Sequence, residues 1–91
     1  MIQLVGRFEA RALPETLASR IKVFVGGDRV RSVAACHTLG GWVDCYQRDD
    51  RGRFVMMAGA ARIVRRRGEV AAFVDRLSEE ERRCLTAGLG A

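Results

Sequence analysis

Ninety-one residues suit one domain, and a chain of that size can bury a modest core without disulfide or metal staples. Hydrophobic residues make up 48% of it and are spread along its length, which excludes intrinsic disorder, and no apolar run approaches the roughly 20 residues of a membrane span. The net charge is +5, carried on the basic side by fifteen arginines and the single Lys22; charge of this kind steers association with polyanions but does not dictate a fold.

In chain order, Met1–Phe8 reads as one short apolar strand, with Ile2, Leu4 and Phe8 separated by Gln3 and Arg7. Arg7, Glu9 and Arg11 deny the N-terminal stretch the apolar core of a secretion signal, so a cytoplasmic, unsecreted product is expected. Pro14 suits the first turn of a short helix over Glu15–Ser19, with an irregular connection as the alternative. Ile21 to Val25 alternates β-branched and other residues, placing Ile21, Val23 and Val25 on one face of a strand. Gly26-Gly27-Asp28 is turn chemistry, and Val30–Cys36 reads as the return strand.

His37–Gly41 has the composition of a hairpin connection, and Trp42–Gln47 reads as the next strand. Asp49-Asp50-Arg51-Gly52 predicts a polar turn and Phe54–Met57 a strand broken by Gly59. Ala60–Val64 predicts a further extended segment, closed by a turn at Arg65-Arg66-Arg67-Gly68. Strands recurring about every 8–12 residues predict a small antiparallel β-sandwich or barrel of about 5–7 strands. The expected class is mainly β, α+β once a C-terminal helix is added, with residues 1–91 as a single domain. Its β-rich body spans about 1–68 and its C-terminal segment about 69–91.

That last segment changes period. Val70, Phe73, Val74 and Leu77 stand at i, i+3, i+4 and i+7, the stripe of a helix, although 69–77 is equally readable as a final strand. Ser78-Glu79-Glu80-Glu81 is a capping-box sequence with acidic residues where the helix dipole favours them. A helix over about 79–87 is therefore expected, with Gly88 as its C-terminal stop. Residues 1–68 carry thirteen basic and six acidic side chains, a net of +7, and residues 69–91 three basic and five acidic, a net of −2. An acidic tail helix can pack across a basic body or contact a partner.

Catalytic and metal chemistry find little to build on. Cys36, His37, Cys45 and Cys84 lack the close ligand pairs of structural zinc, so no metal is expected; His37 reads as a turn residue in contact with water. Cys36 and His37 are adjacent on an extended chain and point to opposite faces, which does not suit a thiol and its base. The three cysteines read as free thiols, and Asp49-Asp50 reads as a solvated turn. A hairpin of 30–36 with 42–48 puts Cys36 near Trp42 and Cys45 near Val33. No nucleophile elbow, phosphate loop or dinucleotide fingerprint occurs. No enzyme activity, cofactor, membrane partner or small-molecule substrate is inferred.

Arginine is the strongest chemical feature. Arg62, Arg65, Arg66 and Arg67 form one cluster, while Arg51 and Arg53 flank the Asp49–Asp50 turn with Arg48; Arg29 and Arg31 sit at another hairpin. Guanidinium groups fork onto phosphates, and Trp42, Tyr46, Phe24 and Phe54, if exposed beside them, would stack on unpaired bases. As the largest apolar groups available, most of these aromatics are expected in the core, leaving the arginines as a solvated face. A nucleic-acid-binding module working through Arg62, Arg65, Arg66, Arg67, Arg51 and Arg53 is the second functional expectation.

The first expectation comes from a resemblance. Ile21-x-Val23-x-Val25-x-Gly27, Val30-x-x-Val33, Thr38-x-x-Gly41-Trp42-Val43-x-x-Tyr46 and Asp50-x-Gly52-Arg53-Phe54 together resemble small β-rich proteins of unassigned role encoded among the virion-assembly genes of tailed bacteriophages and prophages. The likeness covers Ile21–Gly68, roughly half the chain. His37 stands where that pattern has an acidic residue, and the segment after Gly68 departs from it. The resemblance implies a non-enzymatic accessory or structural protein acting through protein–protein contacts, with a virion component or another copy of itself, in the cytoplasm or assembled into a virion. It carries over no catalytic residues.

Overall fold

The computed structural model describes the backbone of residues 1–88 and the side chains as far as Leu85. Two antiparallel four-stranded sheets face each other across a shared core. The first sheet is built from β1 (Ile2–Leu4), β3 (Lys22–Val25), β4 (Asp28–Val30) and β10 (Val70–Val74), in the order β1-β10-β3-β4. The second contains β2 (Arg7–Glu9), β5 (Val33–His37), β6 (Trp42–Tyr46) and β9 (Ile63–Arg67), in the order β2-β5-β6-β9. A separate hairpin of β7 (Met56–Met57) and β8 (Ala60–Ala61) projects between β6 and β9. Helix α1 (Glu15–Ala18) sits between β2 and β3, and α2 (Glu79–Gly88) ends the described chain. The class is the expected one, a small β-rich α+β fold.

Ten strands replace the expected five to seven, for two physical reasons. The stretches read as single strands, Met1–Phe8 and Val30–Cys36, each cross from one sheet to the other. At the first corner Gly6 donates its N–H to Thr38 Oγ1 at 2.7 Å and accepts from Thr38 N at 3.0 Å. At the second, Ser32 takes a left-handed backbone (φ 57°), a conformation costing an L-residue roughly 1–2 kcal/mol. Tyr46 N–H donates to Ser32 O at 2.9 Å and Arg48 Nε to Ser32 Oγ at 2.9 Å, which offsets that cost. The other reason is a break at Arg62, which divides the expected extended segment Ala60–Val64 into β8 and β9.

The segment 69–77 contains a strand, β10 over Val70–Val74, and no helix. Val70, Ala72 and Val74 point inward and are buried, while β10 is hydrogen-bonded on both sides by β1 and β3. The helical stripe Val70–Phe73–Val74–Leu77 therefore does not govern, and small Ala72 occupies the tight centre of the sheet. The expected turn at Arg65–Arg67 is also corrected. These residues complete β9, paired with β6 from Trp42↔Arg67 to Tyr46↔Ile63, and only Gly68 turns the chain. There Gly41 (φ 70°) approaches so closely that a Cβ on it would lie 2.9 Å from Gly68 O, so that position requires glycine.

The tail packs as an integral part of the body. Ser78 Oγ accepts from Glu81 N at 3.1 Å and Glu81 Oε1 accepts from Ser78 N at 2.8 Å, the reciprocal capping box. Leu85 is buried in the common core, and α2 lies against β2. Arg20 clamps the tail from the other side, pairing with Asp75 at 3.2 Å and Glu81 at 2.6 Å and donating to Arg76 O. Gly88, expected just past the helix, is the last described residue of α2. No helix among the described residues is long and apolar enough to cross a membrane.

The core is aliphatic and small; Leu17, Val43, Val74 and Cys36 are its largest fully buried side chains. Leu17, on one turn of α1, plugs it. Leu17→Ala should cost about 2–5 kcal/mol, the range for buried leucine truncation, read as a lower denaturant midpoint, whereas Leu39→Ala at an exposed turn should change stability by less than about 0.5 kcal/mol.

Candidate functional site

The two faces of β6 and β9 separate the residues that carry chemistry. Val43 and Cys45 of β6 point to the core, and opposite them on β9 stand Arg66 and Val64. Trp42, Asp44 and Tyr46 point outward, beside Arg67, Arg65 and Ile63. The predicted cluster of Arg62, Arg65, Arg66 and Arg67 is thus divided by strand alternation, Arg62 and Arg66 on one side, Arg65 and Arg67 on the other.

Arg65 is already engaged. It makes a forked pair with Asp44, Nε to Oδ1 at 2.8 Å and Nη2 to Oδ2 at 3.1 Å, and its guanidinium lies 4.0 Å from the Trp42 ring centroid. The Arg65 hydrogen bond holds the Asp44 carboxyl below the usual carboxylate range and raises Arg65 in turn. Arg7 approaches the same ring at 5.9 Å and His37 meets it edge-on at 6.1 Å. Arg51 and Arg53 belong to the Asp49 turn, where Asp49 Oδ1 accepts from both of their backbone N–H groups at 2.9 Å and Oδ2 pairs with Arg53 at 3.5 Å. Asp49 therefore organises a turn. Arg62, Arg66 and Arg67 form no salt bridge among the described residues.

Trp42, Tyr46, Phe24 and Phe54 are not core, contrary to expectation. Trp42 and Tyr46 cover the outer face of the second sheet, Phe24 packs at 6.0 Å on Phe73 outside the first, and Phe54 is exposed against Tyr46 at 5.7 Å. The inward positions of so narrow a sandwich are filled by Val, Ala, Cys and Leu, with Phe8 as the one buried ring among the described residues. Rings are left outside, partly shielded by arginine: Arg48 lies 4.3 Å from the Phe54 centroid.

Beyond Tyr46 the β6–β9 pair extends into an arm. Three backbone bonds close a ring at its root: Gln47 N to Arg62 O at 2.9 Å, Arg62 N to Val55 O at 2.8 Å, and Val55 N to Gln47 O at 2.9 Å. This junction fixes both the Asp49 turn and the β7–β8 hairpin, whose tip is Ala58-Gly59 (φ 50° and 80°). Phe54, Met56, Met57, Ile63 and Val64, on the arm and the adjoining strand, are between 39% and 59% exposed. Most of the large exposed apolar side chains among the described residues are gathered there, and such patches mark interaction sites. Sequence reading missed this surface, since an apolar run such as Phe54–Met57 reads as a buried strand; its signal was the shortage of other strands to cover it.

The cysteines do not form a ligand set with His37. A register shift between Val33 and Ala35 puts Cys36 opposite Val43, not Trp42, while Cys45 does face Val33. All three cysteines are free, and Cys36 and Cys45 lie inward. His37 points outward with Nδ1 accepting from Gly40 N at 3.0 Å, and Cys84 lies on α2. Among the described residues no three His, Cys, Asp or Glu side chains gather as a metal ion requires.

Burial, with a smaller contribution from neighbouring Cys45, pushes the Cys36 thiol from 9.0 up to about 11. The unfolded chain therefore loses this proton first. The contribution to stability is complete below about pH 9 and drains as pH rises through about 11. Denaturant midpoints should fall over that range, and fall less steeply in Cys36→Ala; parallel slopes would contradict the burial. In comparisons with known proteins, no family model, curated protein or solved structure matches this chain.

Proposed function

We propose that this chain is a non-enzymatic accessory or structural protein of phage or prophage type that acts by binding another protein through the arm and the adjoining edge of β9. The observation that carries the reading is the group of exposed apolar side chains Phe54, Met56 and Met57 on a hairpin arm held by its own backbone ring, continued by Ile63 and Val64 on the two faces of the adjoining β9. A surface displayed on fixed backbone loses little conformational entropy on docking. The likeness of Ile21–Gly68 to small virion-assembly-cluster proteins supplies the setting, with a virion component as the partner class and the cytoplasm or the particle as the place of action. The chemistry also favours binding over catalysis: Cys36 and His37 occupy opposite faces, and Asp49 is spent on a turn.

Nucleic-acid binding has less support. Its arginines lie on two faces, Arg65 is held by Asp44, and Arg65 and Arg7 flank the Trp42 ring a base would stack on.

A photo-reactive phenylalanine analogue at Met57, introduced in the native host during phage production, should cross-link to one virion-assembly protein, while the same group at exposed Glu15 should not. Met56→Ser with Met57→Ser should weaken that complex at least about tenfold with little change in folding stability, because both side chains are exposed. Equal cross-linking from the two positions would overturn the proposal. So would micromolar single-stranded DNA binding that weakens steeply with salt and is lost in Arg62→Ala/Arg66→Ala/Arg67→Ala.

A further inference from the structure

Four strands lie at the edges of the two four-stranded sheets: β1, β4, β2 and β9. β1 and β4 have three residues each, and β2, also of three, lies against α2. β9 has five residues, all exposed, and no strand among the described residues pairs with its outer side. Natural sheets shorten or cover their edges because unpaired N–H and C=O groups recruit another strand. β9 is the exception here.

The direction of its free groups follows from the ladder. Gln47 N donates to Arg62 O and Gly68 N to Gly41 O, so the even-numbered residues of this strand bond to β6. In an antiparallel pair the alternate residues then turn their N–H and C=O outward, which leaves Ile63, Arg65 and Arg67 offering backbone bonds to the open side. Arg62 and Arg66 flank that edge on the inner face and Arg67 on the outer, without salt-bridge partners among the described residues, and Ile63 and Val64 supply apolar contact between them.

We infer that β9 is a receiving edge for an extended polypeptide segment in which acidic side chains alternate with apolar ones, added as a further strand of the second sheet. This rests on the protein-contact reading above and names the partner's chemistry. Backbone addition at an open edge is an established mode of peptide recognition, and opposite charges facing each other across strands stabilise the pair, whereas like charges oppose it. A second copy is disfavoured for that reason. Antiparallel pairing of β9 with another β9 centred on Arg65 sets Arg65 against Arg65. A shift of one pair sets Arg66 against Arg66 or Arg62 against Arg66. The arginines thus guard the edge against self-assembly and select an acidic strand. A nucleic acid is disfavoured too, since its phosphates could use the outward N–H groups but not the outward carbonyls.

The test uses the full chain, isotopically labelled, with two synthetic peptides of about eight residues, one alternating Glu with Val and one alternating Lys with Val. The Glu peptide should slow amide exchange at Ile63, Arg65 and Arg67 by about tenfold or more, the effect weakening with salt, and the Lys peptide should not. Arg62→Glu/Arg66→Glu/Arg67→Glu should reverse the preference, and Arg67→Pro, which removes an outward N–H without touching the β6 ladder, should abolish protection. Protection at β1 or β4 instead, equal response to both peptides, or concentration-dependent dimerisation through β9 would overturn the inference. If no edge amide is protected while Met57 still cross-links to its partner, the edge inference alone fails. If the cross-link is also missing, the protein-contact reading fails with it.

Discussion

The small, largely aliphatic core sets everything else in this molecule. Its inward positions are held by side chains such as Val23, Val43, Ala72 and Val74, together with Leu4, Phe8, Leu17 and Leu85, and there are enough of them to cover the second sheet only as far as β6. β9 pairs with β6 by backbone bonds, but its residues are exposed and no layer among the described residues buries them. Its inward-facing Val64 and Arg66 are therefore open to solvent. The exposed edge and the arm are thus consequences of a limited supply of apolar side chains facing the second sheet. The hydrophobic term weighs most on burial, and here it stops one strand short.

What the core does not cover, the arginines partly organise. Arg20 ties the acidic tail to the body through Asp75 and Glu81, and its hydrogen bonds hold both carboxyls below their usual range. Arg65 spans Asp44 and Trp42, and Arg48 joins Ser32, Gly52 and Phe54. Part of the arginine chemistry is therefore spent on the fold, since planar guanidinium serves carboxylates and rings equally well. Arg62, Arg66 and Arg67 lie along β9, the longest edge strand among the described residues.

Much of the fold is legible in the chain where a local rule has a local cause. Ser78 and Glu81 announce their capping box by spacing, Gly26-Gly27 announces its turn, and Ile21, Val23 and Val25 announce their face. The corner at Ser32 is invisible, because a serine in left-handed conformation leaves no compositional mark. β10 was ambiguous since Val70, Phe73, Val74 and Leu77 fit a helical period while the small, fully buried Ala72 carries little hydrophobic signal. The arginine run read as a turn because an edge strand exposed on both faces has a turn's polarity. The candidate surface was least legible of all. It is defined by what fails to lie opposite β9, and the absence of a covering layer is a property of the whole topology.

The account turns on β9 being a true strand with one free side, and hydrogen exchange of the isolated chain measured amide by amide tests this most directly. Val64 and Arg66, bonded to β6, should be protected, while Ile63, Arg65 and Arg67 should exchange rapidly, giving an alternating pattern along one strand. Uniform protection across Ile63–Arg67 would mean the edge is already covered, and uniform rapid exchange that β9 does not hold its place in the sheet; either would contradict the account.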